Sequence, residues 1–154
     1  MKFLLTKELG RLARWLRILG FDSEYFNQER AGALIIKALR ESRIIITRNH
    51  KLPQARGIKT VLLRNEKIHE QLIETLGELH IKADKERMFS RCIICNHELE
   101  EVSKKSVRDK VPEYVFKTQE NFVTCPRCNR IYWQGTHWGN VNTTLEKLKL
   151  SQEI

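Results

Sequence analysis

The chain has 154 residues, of which 41% are hydrophobic and 31% are charged, a composition typical of a soluble globular protein. It contains no apolar run long enough to cross a membrane, and its N-terminal apolar stretch is too short for a signal peptide. We therefore expect a cytoplasmic protein without a membrane partner.

The net charge of +9 lies entirely in residues 1–64, which carry 14 Lys and Arg against 5 Asp and Glu, whereas residues 65–154 carry 14 of each. A basic field of this kind attracts polyanions, nucleic acid first and an anionic membrane face second. The alternative is a basic surface that serves only solubility.

The first half of the chain alternates strand-like apolar runs with helical patterns. Strands are predicted over residues 3–5, 21–26, 43–49 and 59–63, and helices over residues 9–19, 31–41 and 68–79. Gly20 follows the first helix as a natural C-terminal cap. This alternation predicts βαβ units, and hence an α/β fold with a parallel sheet flanked by helices.

Polar side chains follow two of the predicted strands. Thr6 and Lys7 follow the first strand, and Thr47, Arg48 and Asn49 end the third. In open parallel sheets the ligand crevice lies at the carboxyl ends of the strands, so we expect these residues to border it.

Basic side chains near this crevice are candidates for contact with phosphates. Lys7, Arg11 and Arg14 fall on one face of the first helix, for which a solvated amphipathic surface is the alternative interpretation. Arg48 has a structural ion pair as its alternative role. The full set of candidates for nucleic-acid contact is Lys7, Arg11, Arg14, Arg17, Arg48, Lys51, Arg127 and Arg130.

From about residue 87 the chemistry changes to that of a metal site. Cys92 and Cys95 form one C-x₂-C knuckle and Cys125 and Cys128 form a second, with 29 residues between the pairs. Two such knuckles supply the tetrahedral sulfur shell that Zn²⁺ prefers; a redox pair and iron are the alternatives. Four thiolates leave no position for water, so we expect a structural zinc that contributes on the order of 10 kcal/mol to folding.

The pattern of this second region is that of a small zinc ribbon. It predicts a short helix over residues 103–110, a hairpin of residues 122–124 with 131–133, and a C-terminal helix over residues 144–150. His137 and Trp138 are candidates for nucleic-acid contact or for packing against the first domain. We therefore predict two domains, an α/β domain over residues 1–86 and a four-cysteine ribbon over residues 87–154.

Several short motifs are distinctive in combination and in order. They are Gly10-Arg11-Leu12-Ala13-Arg14-Trp15-Leu16-Arg17, Leu19-Gly20-Phe21-Asp22, Ile46-Thr47-Arg48, Phe89-Ser90-Arg91-Cys92, Val111-Pro112-Glu113-Tyr114-Val115, Thr118-Gln119 and Ile131-Tyr132-Trp133-Gln134-Gly135-Thr136-His137-Trp138. Over residues 1–138 this set resembles the Mut-seven C-terminal RNase family. The resemblance implies a PIN-like α/β nuclease fold followed by a zinc ribbon, RNA as the substrate class, and metal-dependent phosphodiester hydrolysis as the ancestral activity.

The chain departs from this family at the positions that the resemblance assigns to metal-binding carboxylates. Thr6 and Asn49 stand where the family pattern usually has aspartate, and Ala31 falls, by a less certain alignment, on a third acid. Mg²⁺ and Mn²⁺ prefer oxygen ligands from carboxylates, so these replacements weaken the site. Asp22 and Glu29 are the acids that remain nearby in the sequence.

Several functions are consistent with this sequence. The first is a non-catalytic RNA-binding protein with a degenerate nuclease site. Its partner would be RNA, with ribosomal RNA and transfer RNA among the candidates. The second is an active Mg²⁺- or Mn²⁺-dependent ribonuclease that uses Asp22, Glu29 or Glu8, or the charges of Lys7 and Arg48. The third is a ribosome- or RNP-associated factor, or a ribbon adaptor that binds a protein.

Overall fold

The computed structural model describes residues 1–133, 143, 144 and 146. The chain divides into two compact units, Met1–Asn96 and His97–Ile154. The predicted domain division at residues 86 and 87 rests on a change in chemistry along the sequence rather than on compactness, and it stays a prediction. Within the described part of the chain, no helix is long and apolar enough to span a bilayer.

The first unit contains a four-stranded parallel sheet with the strand order β2-β1-β3-β4. Its strands are β1 (Lys2–Thr6), β2 (Asp22–Phe26), β3 (Ile44–Thr47) and β4 (Thr60–Leu62), and its helices are α1 (Gly10–Ile18), α2 (Ala31–Glu41) and α3 (Ile68–Glu78). A 3₁₀ turn, Lys7–Leu9, joins β1 to α1. The α/β fold predicted from the alternating pattern is confirmed.

The core of this unit is built around the central strand β1. Phe3, Leu4 and Leu5 are fully buried, because β1 has a strand on each side and helices cover the sheet. Leu4 packs with Leu34 and Ala38 of α2, whereas α1 packs against α3. Such continuous apolar runs are typical of parallel strands that are buried on both faces.

Gly20 allows the chain to turn after α1. Its φ is +87°, and a Cβ atom at this position would lie only 2.1 Å from the backbone oxygen of Arg87. The backbone N–H of Phe21 donates to the Leu16 carbonyl at 2.9 Å, as in a Schellman cap. The N–H of Phe89 donates to the carbonyl of Ile18 at 2.8 Å, so the segment that leads to the first cysteine knuckle belongs to this unit.

The second unit contains a three-stranded antiparallel sheet with the order β5-β6-β7. Its elements are β5 (Glu100–Val102), a 3₁₀ helix (Lys104–Val107), α4 (Glu113–Thr118), β6 (Phe122–Thr124) and β7 (Ile131–Trp133). Val107, Val115 and Phe122 are the centre of a small apolar core. The predicted hairpin is confirmed.

One prediction in this region needs correction, and the sequence pattern missed one helix. The helix predicted over residues 103–110 is only a 3₁₀ helix over Lys104–Val107, and α4 was not predicted from the sequence. Pro112 directly precedes α4. Proline is tolerated at the start of a helix, because the backbone N–H that it lacks has no partner within the helix there. His137, Trp138 and most of the predicted helix over residues 144–150 lie outside the described residues.

Candidate functional site

A cleft of about 260 Å³ lies at the carboxyl end of β1 in the first unit. Thr6, Ala31 and Asn49 all border it, although 43 positions of sequence separate the first from the last. These are the three positions that the resemblance assigns to metal-binding acids. The fold therefore brings together one hydroxyl, one methyl group and one carboxamide.

Thr6 supports a neighbouring acid in this cleft. Its hydroxyl donates to Oε1 of Glu8 at 2.7 Å, and the backbone N–H of Arg48 donates to the same oxygen at 2.9 Å. The hydroxyl of the buried Thr47 donates to the same Oε1 of Glu8 at 3.3 Å, and its Oγ1 lies 2.9 Å from Oγ1 of Thr6. The end of β1 is thus tied to the end of β3 by side-chain hydrogen bonds.

These donors determine the ionisation of Glu8. Partial burial raises the pKa of its carboxyl group, but the hydroxyl of Thr6, the backbone N–H of Arg48 and the hydroxyl of Thr47 outweigh that effect and hold the pKa below its usual value. Glu8 is therefore a carboxylate at neutral pH. The sequence placed Glu8 only among the secondary candidates, since the bond from Thr6 depends on how the 3₁₀ turn folds.

Asn49 serves as a turn cap. Its Oδ1 accepts a hydrogen bond from the backbone N–H of Lys51 at 3.0 Å, and its own N–H donates to Oγ1 of Thr47 at 3.0 Å. An asparagine that bonds the backbone two residues further on is a common device in turns. The carboxamide oxygen at this family position is thus already used within the loop.

The two remaining acids that the sequence singled out lie at different ends of the sheet. Glu29 borders the cleft and forms an ion pair with Lys7. The hydrogen bond between Lys7 and Glu29 and the attraction between their opposite charges raise the pKa of Lys7 and lower the pKa of Glu29. Asp22 pairs in register with Lys2, whereas Phe26 pairs with Thr6. Four residues of strand separate Asp22 from the cleft end, or about 13 Å.

Asp22 has a structural partner at that opposite end. Its Oδ1 lies 2.7 Å from Nη1 of Arg43, whose side chain is only 8% exposed. Burial raises the pKa of Asp22, but the bonds from Arg43 and Asn96 outweigh it and lower the pKa. The structure therefore does not bring Asp22 together with Thr6, Ala31 and Asn49.

Most of the predicted RNA-binding side chains lie at the surface. Arg48 is 32% exposed and pairs with Glu66 at 3.1 Å, and Lys7 borders the cleft. The exposed members of the set are Lys7, Arg11, Arg14 and Lys51 in the first unit and Arg127 and Arg130 in the second. Contact of these residues with RNA stays a prediction.

Arg17 differs from the other members of this set. It is only 7% exposed, and its Nε donates to the carbonyl of Ser23 at 2.8 Å. Its Nη1 donates to the carbonyls of Ile93 and Ile94 at 2.9 and 3.0 Å. Because these donors are used inside the protein, Arg17 is not part of the RNA-binding surface that we propose below. The sequence held one indication that Arg17 is buried: it lies four residues after Ala13, and therefore on the same face of the helix as this buried residue.

The four cysteines form a compact cluster. Their sulfur atoms all lie within 4.8 Å of one another, with Cys92 and Cys125 fully buried. Around a tetrahedral Zn²⁺ with bonds of about 2.3 Å, the sulfur atoms are about 3.8 Å apart. The cluster thus fits a single structural metal ion, and its soft thiolate donors suit zinc.

The two knuckles have the same backbone geometry. Asn96 follows the first and Asn129 follows the second, with φ values of +67° and +59°. The N–H of Asn96 donates to the carbonyl of Cys92 at 2.9 Å, and that of Asn129 to the carbonyl of Cys125 at 2.8 Å. Asparagine tolerates this left-handed conformation better than most residues do. Each knuckle is therefore a closed turn that presents its two sulfurs together.

Comparison with known proteins identifies one family. The model of the Mut7-C RNAse domain matches residues 1–145, nearly the whole chain. No curated protein and no solved structure matches significantly.

Proposed function

Because the chain belongs to the Mut7-C RNAse domain family, we propose that it binds RNA through a nuclease site that no longer supports metal-dependent cleavage. The observation that carries this proposal is the convergence of Thr6, Ala31 and Asn49 on one cleft. Family membership supports a nuclease-like, RNA-related role. The replacement of acids in the cleft favours binding over hydrolysis.

The chemistry of these side chains supports the loss of metal binding. Mg²⁺ and Mn²⁺ take oxygen ligands, and a protein that holds one to activate water supplies them chiefly as carboxylates. The hydroxyl of Thr6 donates to Glu8, the carboxamide oxygen of Asn49 accepts from Lys51, and Ala31 offers no ligand. Neutral groups that are already hydrogen-bonded compete poorly with water for Mg²⁺.

The same changes favour binding of a phosphate backbone. Each carboxylate that is absent from the cleft removes a repulsion against phosphate, and Lys7 remains at its border. The pair of Lys7 with Glu29 is solvent-exposed, so a phosphate can replace Glu29 at little cost. Arg11, Arg14 and Lys51 add positive charge on the surface of the same unit.

We assign a structural Zn²⁺ to the four cysteines, Cys92, Cys95, Cys125 and Cys128. Bound there, the metal cross-links two knuckles and performs no step of a reaction, because four thiolates complete its coordination shell. Arg127 and Arg130 beside the second knuckle are exposed and extend the proposed RNA-binding set.

The second candidate function is an active ribonuclease, and one observation favours it. Glu8 and Glu29 both border the cleft, and Glu8 is ionised at neutral pH. Two carboxylates are enough to hold one Mg²⁺ or Mn²⁺ that keeps most of its waters. The experiment below separates the two functions.

The test uses zinc-loaded full-length protein and end-labelled RNA in EDTA, Mg²⁺ and Mn²⁺, with each reaction run on native and denaturing gels. We expect intact, shifted RNA in every buffer. The double variant Thr6→Asp, Asn49→Asp is expected to gain metal-dependent cleavage, whereas the matched neutral variant Thr6→Asn is not. Multiple-turnover cleavage by the wild-type protein in Mn²⁺ would instead establish the active ribonuclease, and RNA that shifts in no buffer would reject RNA binding.

A further inference from the structure

Arg17 connects the first cysteine knuckle to the α/β sheet. The two residues between Cys92 and Cys95 each present a backbone carbonyl to its Nη1, at 2.9 Å for Ile93 and 3.0 Å for Ile94. The Nε of the same guanidinium donates to the carbonyl of Ser23 in β2 at 2.8 Å. One planar guanidinium group therefore bonds both the knuckle and an edge strand, and fixes their relative position.

Asn96 forms a second connection between the same two segments. Its Oδ1 accepts a hydrogen bond from the backbone N–H of Ser23 at 2.9 Å, and its Nδ2 donates to Oδ1 of Asp22 at 2.8 Å. Asn96 is only 8% exposed, and Ser23 is fully buried. Both polar groups of the Ser23 backbone are thus bonded to side chains that hold the knuckle.

The positive charge of Arg17 also interacts with the negative charge of the metal site. Four thiolates around one divalent cation carry net negative charge, and here two of the sulfurs are fully buried. Burial lowers the pKa of Arg17, and the charges of Cys92 and Cys95 oppose that effect. A buried guanidinium is stable only with compensating partners, and a buried anionic cluster has the same need.

We propose that Arg17 is a positioning residue of the metal site, which clamps the backbone between Cys92 and Cys95 and offsets the negative charge of the thiolates. This inference rests on the proposed zinc site and is independent of RNA binding. Outer-shell partners of metal ligands typically change metal affinity on the order of 10- to 100-fold when they are removed. The planar fork of arginine, with its several fixed donors, suits this task better than a lysine ammonium does.

A consequence for the α/β unit follows from the same contacts. When the metal holds Cys92 and Cys95, the knuckle carbonyls and Asn96 are held against Ser23. Removal of the metal frees the knuckle and leaves the N–H of Ser23 less protected. The metal site thereby stabilises the start of β2, which supplies none of the ligands.

The test compares zinc retention in full-length wild-type protein, Arg17→Met and Arg17→Lys. Zinc-loaded protein is titrated with a chromophoric chelator, and both the affinity and the rate of zinc release are measured. We expect Arg17→Met to weaken zinc binding on the order of 10- to 100-fold, and Arg17→Lys to weaken it less, since lysine keeps the charge but loses the fork. Arg40→Met removes an exposed arginine from helix α2 and is the matched control, expected to retain zinc as the wild type does.

Hydrogen exchange gives a readout apart from zinc affinity. In the wild-type protein the amide of Ser23 is expected to exchange slowly with zinc bound and faster after chelation, and in Arg17→Lys it is expected to exchange faster even with zinc bound. If Arg17→Met does not fold, zinc retention by Arg17→Lys decides whether the proposal holds. Wild-type zinc retention by Arg17→Lys would overturn the proposal, whereas purified wild-type protein that binds no zinc would reject the metal site itself.

Discussion

The hydroxyl of Thr6 donates a 2.7 Å hydrogen bond to the carboxylate of Glu8, two residues further along the chain. Thr6 occupies a position at which the family resemblance implies a metal-binding aspartate. An aspartate there would repel the carboxylate of Glu8, whereas threonine stabilises it. The end of β1 therefore presents a hydroxyl that orders a neighbouring acid.

This relationship predicts the effect of Thr6→Val, which keeps the shape of the side chain and removes its donor. We expect the pKa of Glu8 to rise and the free energy of unfolding to fall by roughly 0.5 to 1 kcal/mol, because the bond is partly exposed. Thr6→Ser keeps the hydroxyl and is the control. The carboxyl pKa is measured by NMR titration, and stability by urea unfolding.

The sign of the pH dependence is fixed by the lowered pKa of Glu8. A carboxyl whose folded pKa is depressed stabilises the protein above its unfolded pKa, and this contribution is lost as the pH falls through the folded pKa. The difference in stability between wild type and Thr6→Val should therefore be largest at neutral pH and shrink in acid. A difference that does not change with pH would contradict this account.

A second pH effect is predicted at Glu41. Lys37 and Arg43 hold its pKa at about 2, against an ordinary value of 4.5. The stabilisation from Glu41 is fully present above about pH 4.5 and is lost as the pH falls towards about 2. We expect Glu41→Gln to be less stable than wild type at neutral pH and to lose less stability over this interval. Parallel unfolding curves of the two proteins at all pH values would contradict the prediction.

Gly20→Ala is predicted to be strongly destabilising. The new methyl group would meet the carbonyl oxygen of Arg87 at 2.1 Å, and alanine disfavours the φ of +87°. Strain of this kind costs roughly 1 to 3 kcal/mol before any clash is counted. Thermal unfolding measures the effect, with Gly32→Ala as the control, since a Cβ atom on Gly32 meets no atom within 4 Å. Equal melting temperatures for the two variants would refute the packing described at Gly20.

Metal analysis is predicted to find about one zinc per chain, held by four thiolates. The core around Val107, Val115 and Phe122 is small, so chelation is expected to unfold the second unit. Circular dichroism before and after chelation measures this loss. Cys125→Ser should lose zinc and Thr124→Ser should retain it. A second unit that keeps its structure without metal would show that its core is sufficient alone.

RNA affinity is predicted to depend on the exposed face of α1. Arg11→Gln combined with Arg14→Gln should weaken binding and lower the salt dependence, because each lost phosphate contact removes about 0.7 from the slope of log K against log salt for single strands. Lys82→Gln removes one exposed charge elsewhere in the first unit and is the control. Binding curves at several salt concentrations give the slopes, and an unchanged slope in the double variant would exclude this face.

The sequence alone allowed much of the fold to be predicted, because the relevant signals are local. The apolar run at residues 44–46 and the stripe that includes Leu12 and Leu16 follow from periodicity within single elements. In the second unit, the short length of the helices and strands and the position of a proline limited how well the secondary structure could be predicted. Pro112 is compatible both with the end of one helix and with the start of another, and only packing of Val115 into the core decides between them.

The candidate site was only partly predictable from the sequence. The positions of Thr6 and Asn49 at strand ends follow from the parallel sheet, and the spacing of the cysteines was sufficient to indicate the metal cluster. The positions of the acidic residues Asp22 and Glu29 relative to the cleft were harder to predict from the sequence. Asp22 and Glu29 are close in sequence, but Asp22 begins a strand and Glu29 follows its end, so the length of β2 separates them.

The sequence by itself determined the alternating strand and helix pattern, the two knuckles and the excess of basic residues at the N-terminal end. Only the tertiary structure decided that Arg14 is exposed while Arg17 is buried against the first knuckle, and that Thr6, Ala31 and Asn49 border one cleft. The physical reason is the range of the interactions. Periodicity assigns a residue to a face of its own element, whereas its contacts depend on which distant segment packs on that face.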